Sequence, residues 1–260
     1  MSITRNNMNR RAARSRAGWL AAAMAAGALL CTAPAMAQDV SHMVRGRTGL
    51  PTVREGEGRI WMERGVVNMN VRDDQIRTVQ TFRLQYPGPP LEHDPLRAKI
   101  AVREDFFRKG EGKGDVTLGQ ARGFSSFAVW IDGQRVPSEK TSWELNDARD
   151  TATRWRNFRL DFRPGQRHYL RIVSVAPVGW QGAHPVIDFV SKDLGHWRGV
   201  PDYLELKVSA PGTMEARVDG IEPKPTNVSA GGIRWVYRKA VPDRDVFVML
   251  PPGSRSAMGR

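Results

Sequence analysis

IRTVQTFRLQY, residues 76–86, carries the pattern that decides the fold. Ile76, Phe82, Leu84 and Tyr86 fall on one side of an extended chain, with Arg77, Arg83 and Gln85 on the other. Successive strand side chains point to opposite faces of a sheet, so this alternation marks a half-buried antiparallel strand. The beat recurs in RNFRLDF (156–162), HYLRIVSV (168–175), YLELKV (203–208), MEARV (214–218), IRWVYRK (233–239) and DVFVML (245–250). Apolar spacing of the helical i, i+3, i+4 kind is almost absent beyond residue 37.

Turn chemistry separates these runs. FAVWIDGQRV (127–136) sets Asp132-Gly133 between two strand-like segments, a strong local hairpin signal. FRPGQRHY (162–169) sets Pro164-Gly165 between two more, which fits a tight reversal. Many short strands at about 10-residue spacing predict an all-β protein of antiparallel β-sandwich architecture, one large or two small sandwich units, with little helix. A first β-sandwich portion is assigned to 38–137 and a second to 138–250, with a seam in the polar segment SEKTSWELNDARDTATR (138–154). That segment reads equally well as one end of a single sandwich. FFRKGEGKGDVTLGQARG (106–123) is read as a long exposed loop, and it lacks the G-x-x-x-x-G-K-[ST] spacing of a phosphate loop. The proline density of PGPPLEHDP (87–95) excludes a central strand. The tail PPGSRSAMGR (251–260) has no apolar period and is expected to be disordered.

The N-terminal 37 residues read as a signal peptide. Arg5, Arg10, Arg11, Arg14 and Arg16 precede the apolar run GWLAAAMAAGALLC, and Ala35-Met36-Ala37 supplies small residues before a cut at Gln38. The run is too short to span a membrane. Arg10-Arg11 leaves the twin-arginine route open beside the general secretory one. Cys31 is preceded by Leu30, where a lipoprotein signal wants a small residue, so it is discarded with the leader. The remaining chain then has no cysteine, which excludes thiol catalysis, and export without disulfides fits the bacterial periplasm. Removing the five leader arginines lowers the formal charge from +13 to +8, which favours an anionic neighbour. Nucleic acid is not expected, because the basic residues are scattered rather than clustered.

Candidate chemistry is sparse. No G-x-S-x-G and no HExxH occurs. His42, His93, His168, His184 and His196 are never paired at i, i+2 or i, i+4, so neither a metal site nor a cofactor is assigned. Carboxylates that a glycosidase could pair across a cleft include Glu144, Asp147, Asp188, Asp193 and Asp202. Among the tryptophans, Trp130 and Trp235 fall within apolar or alternating runs and are expected in the core. Trp155, Trp180 and Trp197 lie beside arginines or glycines near turns and are the better surface candidates.

Several segments together resemble a family of exported bacterial all-β proteins known only as a domain of unknown function. The match rests on Gly49-Leu50, on Ile60, Met62 and Glu63, and on Phe82-Arg83, where Leu84 replaces the family's asparagine. FAVWIDGQRV is similar to its apolar-Asp-Gly hairpin, and IDFVSKDLGHWRGVPDYLELKV (187–208) carries Trp197 and Gly199 at its Trp-x-Gly positions. The resemblance covers about residues 48–210. It implies an exported all-β protein and transfers no catalytic or binding residue.

The expected role is therefore non-enzymatic: binding or scaffolding at the cell envelope, towards an anionic glycan, a lipid head group or a protein. Trp180, His196, Trp197 and Arg198 are its surface candidates, with no catalytic and no metal residues. The alternative is an envelope glycan hydrolase using paired carboxylates such as Asp193 and Asp202 near the Trp197 loop. Within DLGHWRGVPDYLE (193–205) a third reading competes. Gly195, Gly199 and Pro201 let the chain pass between strands, and a buried Trp197 plugs the opening while His196 and Arg198 face solvent.

Overall fold

The structure, a computed structural model, describes residues 43–72, 74–88, 95–109, 123–146, 151–181, 184–192, 194, 196–210 and 220–251. The expected leader (1–37), residues 110–122 of the loop expected over 106–123, the strand expected at 214–218, and all but the first residue of the expected tail lie outside the described residues. Residues 106–109 of that expected loop instead belong to a long strand, where Phe106 is buried. From Val40 onward the chain is one compact unit.

Strands dominate the described residues, and helix is almost absent from them. The first are β1 (Met43–Gly49), β2 (Thr52–Glu55), β3 (Trp61–Arg72), β4 (Gln75–Gln85), β5 (Leu96–Lys109) and β6 (Ser126–Ile131). Then come β7 (Gln134–Val136), β8 (Glu139–Lys140), β9 (Glu144–Asn146), β10 (Thr151–Phe162), β11 (Arg167–Pro177) and β12 (Gly179–Gln181). The last are β13 (His184–Val190), β14 (Tyr203–Ser209), β15 (Ile221–Glu222), β16 (Asn227–Ser229), β17 (Gly232–Arg238) and β18 (Val246–Met249).

They form two sheets, as an all-β sandwich requires. The first runs β15-β18-β13-β12-β1-β5-β10-β8, with β2 also on β5, β9 on β10, and β1 also on β13. The second runs β16-β17-β14-β3-β4-β11-β6-β7. Two pairings, β1 with β13 and β3 with β14, are parallel, so both sheets are mixed rather than purely antiparallel. Parallel neighbours need long crossover connections, and these two bring together strands far apart in sequence. The stretches 38–137 and 138–250 each contribute strands to both sheets.

The core follows the alternation. Ile76, Phe82, Leu84 and Tyr86 are buried, and Phe158, Leu160 and Phe162 face them from the first sheet's side of the core. Leu204, Leu206, Val208, Ile233, Trp235, Val246, Val248 and Leu250 complete the same cluster. Polar side chains at inward positions obey the same period. Gln80 is fully buried, and its amide donates to the Gly49 carbonyl at 3.2 Å, offsetting the cost of desolvating it.

The Asp132-Gly133 hairpin forms as expected, with φ of +52° and +85° and Ile131 opposite Gln134. Positive φ at both central residues is the type I′ geometry that matches strand twist. Pro164-Gly165 also reverses the chain, but it joins β10 of the first sheet to β11 of the second, so it closes the sandwich edge instead of making a hairpin. Trp130 departs from expectation. It sits half-buried on the outer face with the Arg171 guanidinium 5.3 Å from its ring, because Val129 takes the inward position of β6. Trp235 is buried in the core as expected.

Candidate anion-binding face

The loop from β13 to β14 leaves the first sheet and enters the second. Trp197 within it is 5 % exposed and belongs to the main core. Its indole nitrogen donates to the Pro51 carbonyl at 2.9 Å, Arg198 N donates to the Ile60 carbonyl at 2.8 Å, and Gly199 turns at φ +65°. Trp197 is therefore the plug of a strand crossover and not a surface residue, since its large apolar ring gains more from the inter-sheet space than from solvent. His196 keeps a partly exposed ring, with Nδ1 3.2 Å from Glu57, and Arg198 is exposed. Trp180, in β12 of the first sheet, is half-buried and packs on the core. The four residues do not converge on one surface.

The outer face of the second sheet gathers a different set. The register places Tyr203 opposite both Arg238 and Arg64, Arg64 opposite Arg83, and Arg83 opposite Tyr169. Directly opposed residues project from the same face. Arg238, Tyr203, Arg64, Arg83 and Tyr169 thus form one row across β17, β14, β3, β4 and β11. With strands about 4.8 Å apart, the row spans about 19 Å. Tyr169 is 61 % exposed. No sequence period could reveal this row, because its members come from five strands spread over the chain. The only local signal was that each arginine occupies an outward position of its own strand.

A bulge organises the row. The β3–β4 register shifts between Met62 and Arg64, leaving Glu63 as the extra residue. Glu63 is 3 % exposed, and its carboxylate accepts Arg167 Nε at 3.0 Å and is ion-paired with Arg83. Its carbonyl accepts Asp202 N at 3.0 Å, and the Asp202 carbonyl accepts Lys239 N at 3.1 Å, so the entry to β14 is pinned against the bulge. The Arg64 and Arg238 guanidinium groups lie 4.9 and 5.3 Å from the Tyr203 ring. Among the described residues these two arginines have a ring partner and no carboxylate partner. Like charges directly opposite, as Arg64 and Arg83 are, cost stability, so the arrangement is not what a purely structural face would select.

Glu63, Arg64, Arg83, Asp202, Tyr203 and Arg238 line an open depression of about 510 Å³. Beside it the Tyr203 hydroxyl donates to Glu205, and Arg234 donates to both, at 3.2 Å to Tyr203 Oη and 3.0 Å to Glu205 Oε2. Burial alone would raise the Glu205 pKa, but the Tyr203 and Arg234 hydrogen bonds and the Arg234 and Lys207 charges outweigh it and hold the carboxyl below its ordinary range. That network neutralises Arg234 and fixes the Tyr203 ring.

The other carboxylate candidates are dispersed. Asp188 is buried and ion-paired to Arg47 at 3.1 Å, Glu144 is exposed on β9, and Asp147 and Asp193 lie outside the described residues. His168 is buried with Nδ1 on Asp132 and Nε2 3.1 Å from the Asp161 carbonyl, while His184 Nδ1 faces the Leu250 carbonyl at 3.1 Å. His42 and His93 lie outside the described residues, among which no group of three or more His, Cys, Asp or Glu side chains could hold a metal ion. No helix of the described residues is long and apolar enough to cross a membrane.

No protein-family model matches the chain, and no curated protein matches it. Among solved structures, the chain is similar to one described as a "putative nutrient binding protein" from Legionella pneumophila subsp. pneumophila str. Philadelphia 1. That likeness has a TM-score of 0.58 and 13 % identity, covering 83 % of this chain and 75 % of the other, and it shows a shared fold. Two M1 zinc metallopeptidases also match, one of them from Deinococcus radiodurans. Their TM-scores are 0.37 and 0.35, at 11 % and 13 % identity. Each match covers 75 % of this chain and 45 % of the peptidase, and at those scores it bears on nothing further.

Proposed function

We propose that this chain is an exported, non-enzymatic binding protein of the bacterial cell envelope, and that the arginine–tyrosine row of the second sheet receives an anionic partner. The single observation carrying this reading is the row itself. It holds three arginines, two with no carboxylate partner among the described residues, on a rigid sheet beside an open depression. Guanidinium groups already held against the Tyr203 ring have less rotamer freedom left to lose on binding, and unpaired charges gain most from a ligand of opposite sign. The export part rests on the leader pattern of residues 1–37, on the cysteine-free remainder, and on the resemblance to exported proteins of unknown function. The similar fold of a protein described as binding nutrients is compatible with a binding role.

The hydrolase alternative fits less well. Trp197 offers no cleft floor, and Glu63, which shares the depression with Asp202, is occupied by two guanidinium groups. The test is retention of the chain on immobilised dextran sulfate against neutral dextran, at rising salt. Arg64→Glu and Arg238→Glu should abolish retention, whereas Arg97→Glu and Arg159→Glu, exposed on the first sheet, should leave it nearly intact. Equal losses at all four positions would reduce the effect to net charge and end the proposal for this face. Osmotic-shock release of the chain with and without residues 1–37 tests export; release of neither form would remove that part.

A further inference from the structure

We infer that the depression beside Tyr203 is selective for a phosphomonoester dianion, a deepening that rests on the anion-binding reading above. The argument starts from charge. Arg64, Arg83 and Arg238 line the depression with Glu63 and Asp202, and Arg167 is bound to Glu63 from its other side. Four guanidinium groups against two carboxylates leave a local excess of two positive charges. A carboxylate or phosphodiester would neutralise half of that excess. A phosphomonoester carries close to two negative charges at neutral pH and three acceptor oxygens.

Geometry agrees with charge. The guanidinium fork matches phosphate bidentately, and arginines arriving from separate strands can engage different oxygens of one group. Arg64 and Arg238 flank Tyr203 from the neighbouring strands on either side, each within cation–π distance of its ring. The ring is thereby a positioning element for two guanidinium groups rather than a platform for a sugar. Its hydroxyl is already committed to Glu205 and Arg234. Glu63, bulged beneath the row, holds Arg83 in the same way. The arginines are oriented before any ligand arrives, which reduces the entropy lost on binding.

Asp202 is the one feature that opposes an anion. It is an exposed acid among the residues lining the depression, and among the described residues it has no ion-pair partner. Removing that charge without changing shape must strengthen a phosphate and would weaken a cation. Asp202→Asn therefore discriminates by sign, and no folding defect imitates a gain of affinity.

The experiment is titration calorimetry of the full chain at about physiological salt, with glucose 6-phosphate, glucuronate and inorganic phosphate as soluble probes. Vesicles containing phosphatidic acid are compared with vesicles containing phosphatidylglycerol. The phosphomonoesters should bind at least about tenfold more tightly than glucuronate. Arg64→Ala and Arg238→Ala should each weaken them about tenfold, and Asp202→Asn should tighten them about two- to fivefold. Preference for phosphatidic acid vesicles over soluble phosphates identifies a lipid source, and the reverse identifies a soluble one. Equal binding of glucose 6-phosphate and glucuronate, both lost in the arginine variants, overturns the dianion selectivity while leaving the anion-binding reading intact. Binding of none of these probes by a chain that still adheres to dextran sulfate has the same consequence. Failure with dextran sulfate as well overturns both.

Discussion

The indole nitrogen of Trp197 donates to the Pro51 carbonyl at 2.9 Å, joining residues 146 positions apart across the end of the sandwich. The bond fixes the crossover between β13 and β14 against the start of β2, and the ring fills the space beneath. Trp197→Ala removes the ring and the donor together and should destabilise the fold by about 3–5 kcal/mol. Trp197→Phe keeps most of the apolar area but orphans the buried carbonyl, so about 1–3 kcal/mol should be lost. Chemical denaturation of both variants checks the order, and a Trp197→Ala chain as stable as the parent would contradict the plug.

Glu63 makes a second prediction. Its buried carboxylate serves Arg83 and Arg167, whose side chains remain 43 % and 59 % exposed. Glu63→Gln leaves no unpaired buried charge but gives up two charge-assisted bonds, and solvent screens both partners. A loss of about 1–3 kcal/mol is expected in urea unfolding. The variant also removes a negative charge from beside the row and releases the Arg83 and Arg167 guanidinium groups, so retention on dextran sulfate should hold or rise.

Acid stability should report the Asp132–His168 pair. Burial alone would raise the Asp132 pKa, but the Tyr169 N–H, the His168 hydrogen bond and the His168 charge outweigh it and hold the carboxyl below its ordinary range. A depressed carboxylate contributes stability above its unfolded pKa and loses it as pH falls through the folded one. Asp132→Asn tolerates the left-handed turn at φ +52° and removes only the charge. The stability gap between parent and variant should shrink as pH falls below about 4. A gap unchanged at pH 2.5 would show that the carboxylate charge contributes nothing.

Tyr237 offers a prediction of opposite sign. Its hydroxyl is buried with no hydrogen-bond partner among the described residues, and burial, with Asp243 adding to it, pushes its pKa up to about 12. Tyr237→Phe removes an unsatisfied polar atom at constant ring volume. Stability should stay level or rise by about 1 kcal/mol, visible as a raised denaturation midpoint. A drop of similar size would mean that the hydroxyl has a partner.

Strand identity and facing were legible in the sequence because side-chain period is a local property. Ile76 to Tyr86 and Phe158 to Phe162 bury the residues that alternation assigns inward. Sheet membership was not legible. Pro164-Gly165 looks like a hairpin turn, yet β10 and β11 enter different sheets, and turn chemistry alone does not specify which edge receives the next strand. Trp130 was misjudged because an apolar run does not say which residue takes the inward position, and Val129 did. The candidate site was the least legible. Trp197 and its neighbours drew attention by composition, whereas Arg64, Arg83, Tyr203 and Arg238 meet only through registers between strands far apart in the chain.

The parallel pairing of β14 with β3 has a kinetic consequence. Its seven paired positions join Tyr203–Ser209 to residues 64–70, so the centre of the second sheet closes a loop of more than 130 residues. Loop closure of that length must precede the contacts that reward it, which predicts slow folding for a chain of this size. Until Tyr203 has emerged during synthesis, β3 has a bare edge, and the apolar side chains that Leu204 and Leu206 later cover stay open to other chains. A nascent chain halted before residue 203 is therefore expected to aggregate, and the segment from Tyr203 onward acts as the clasp that ends that exposure.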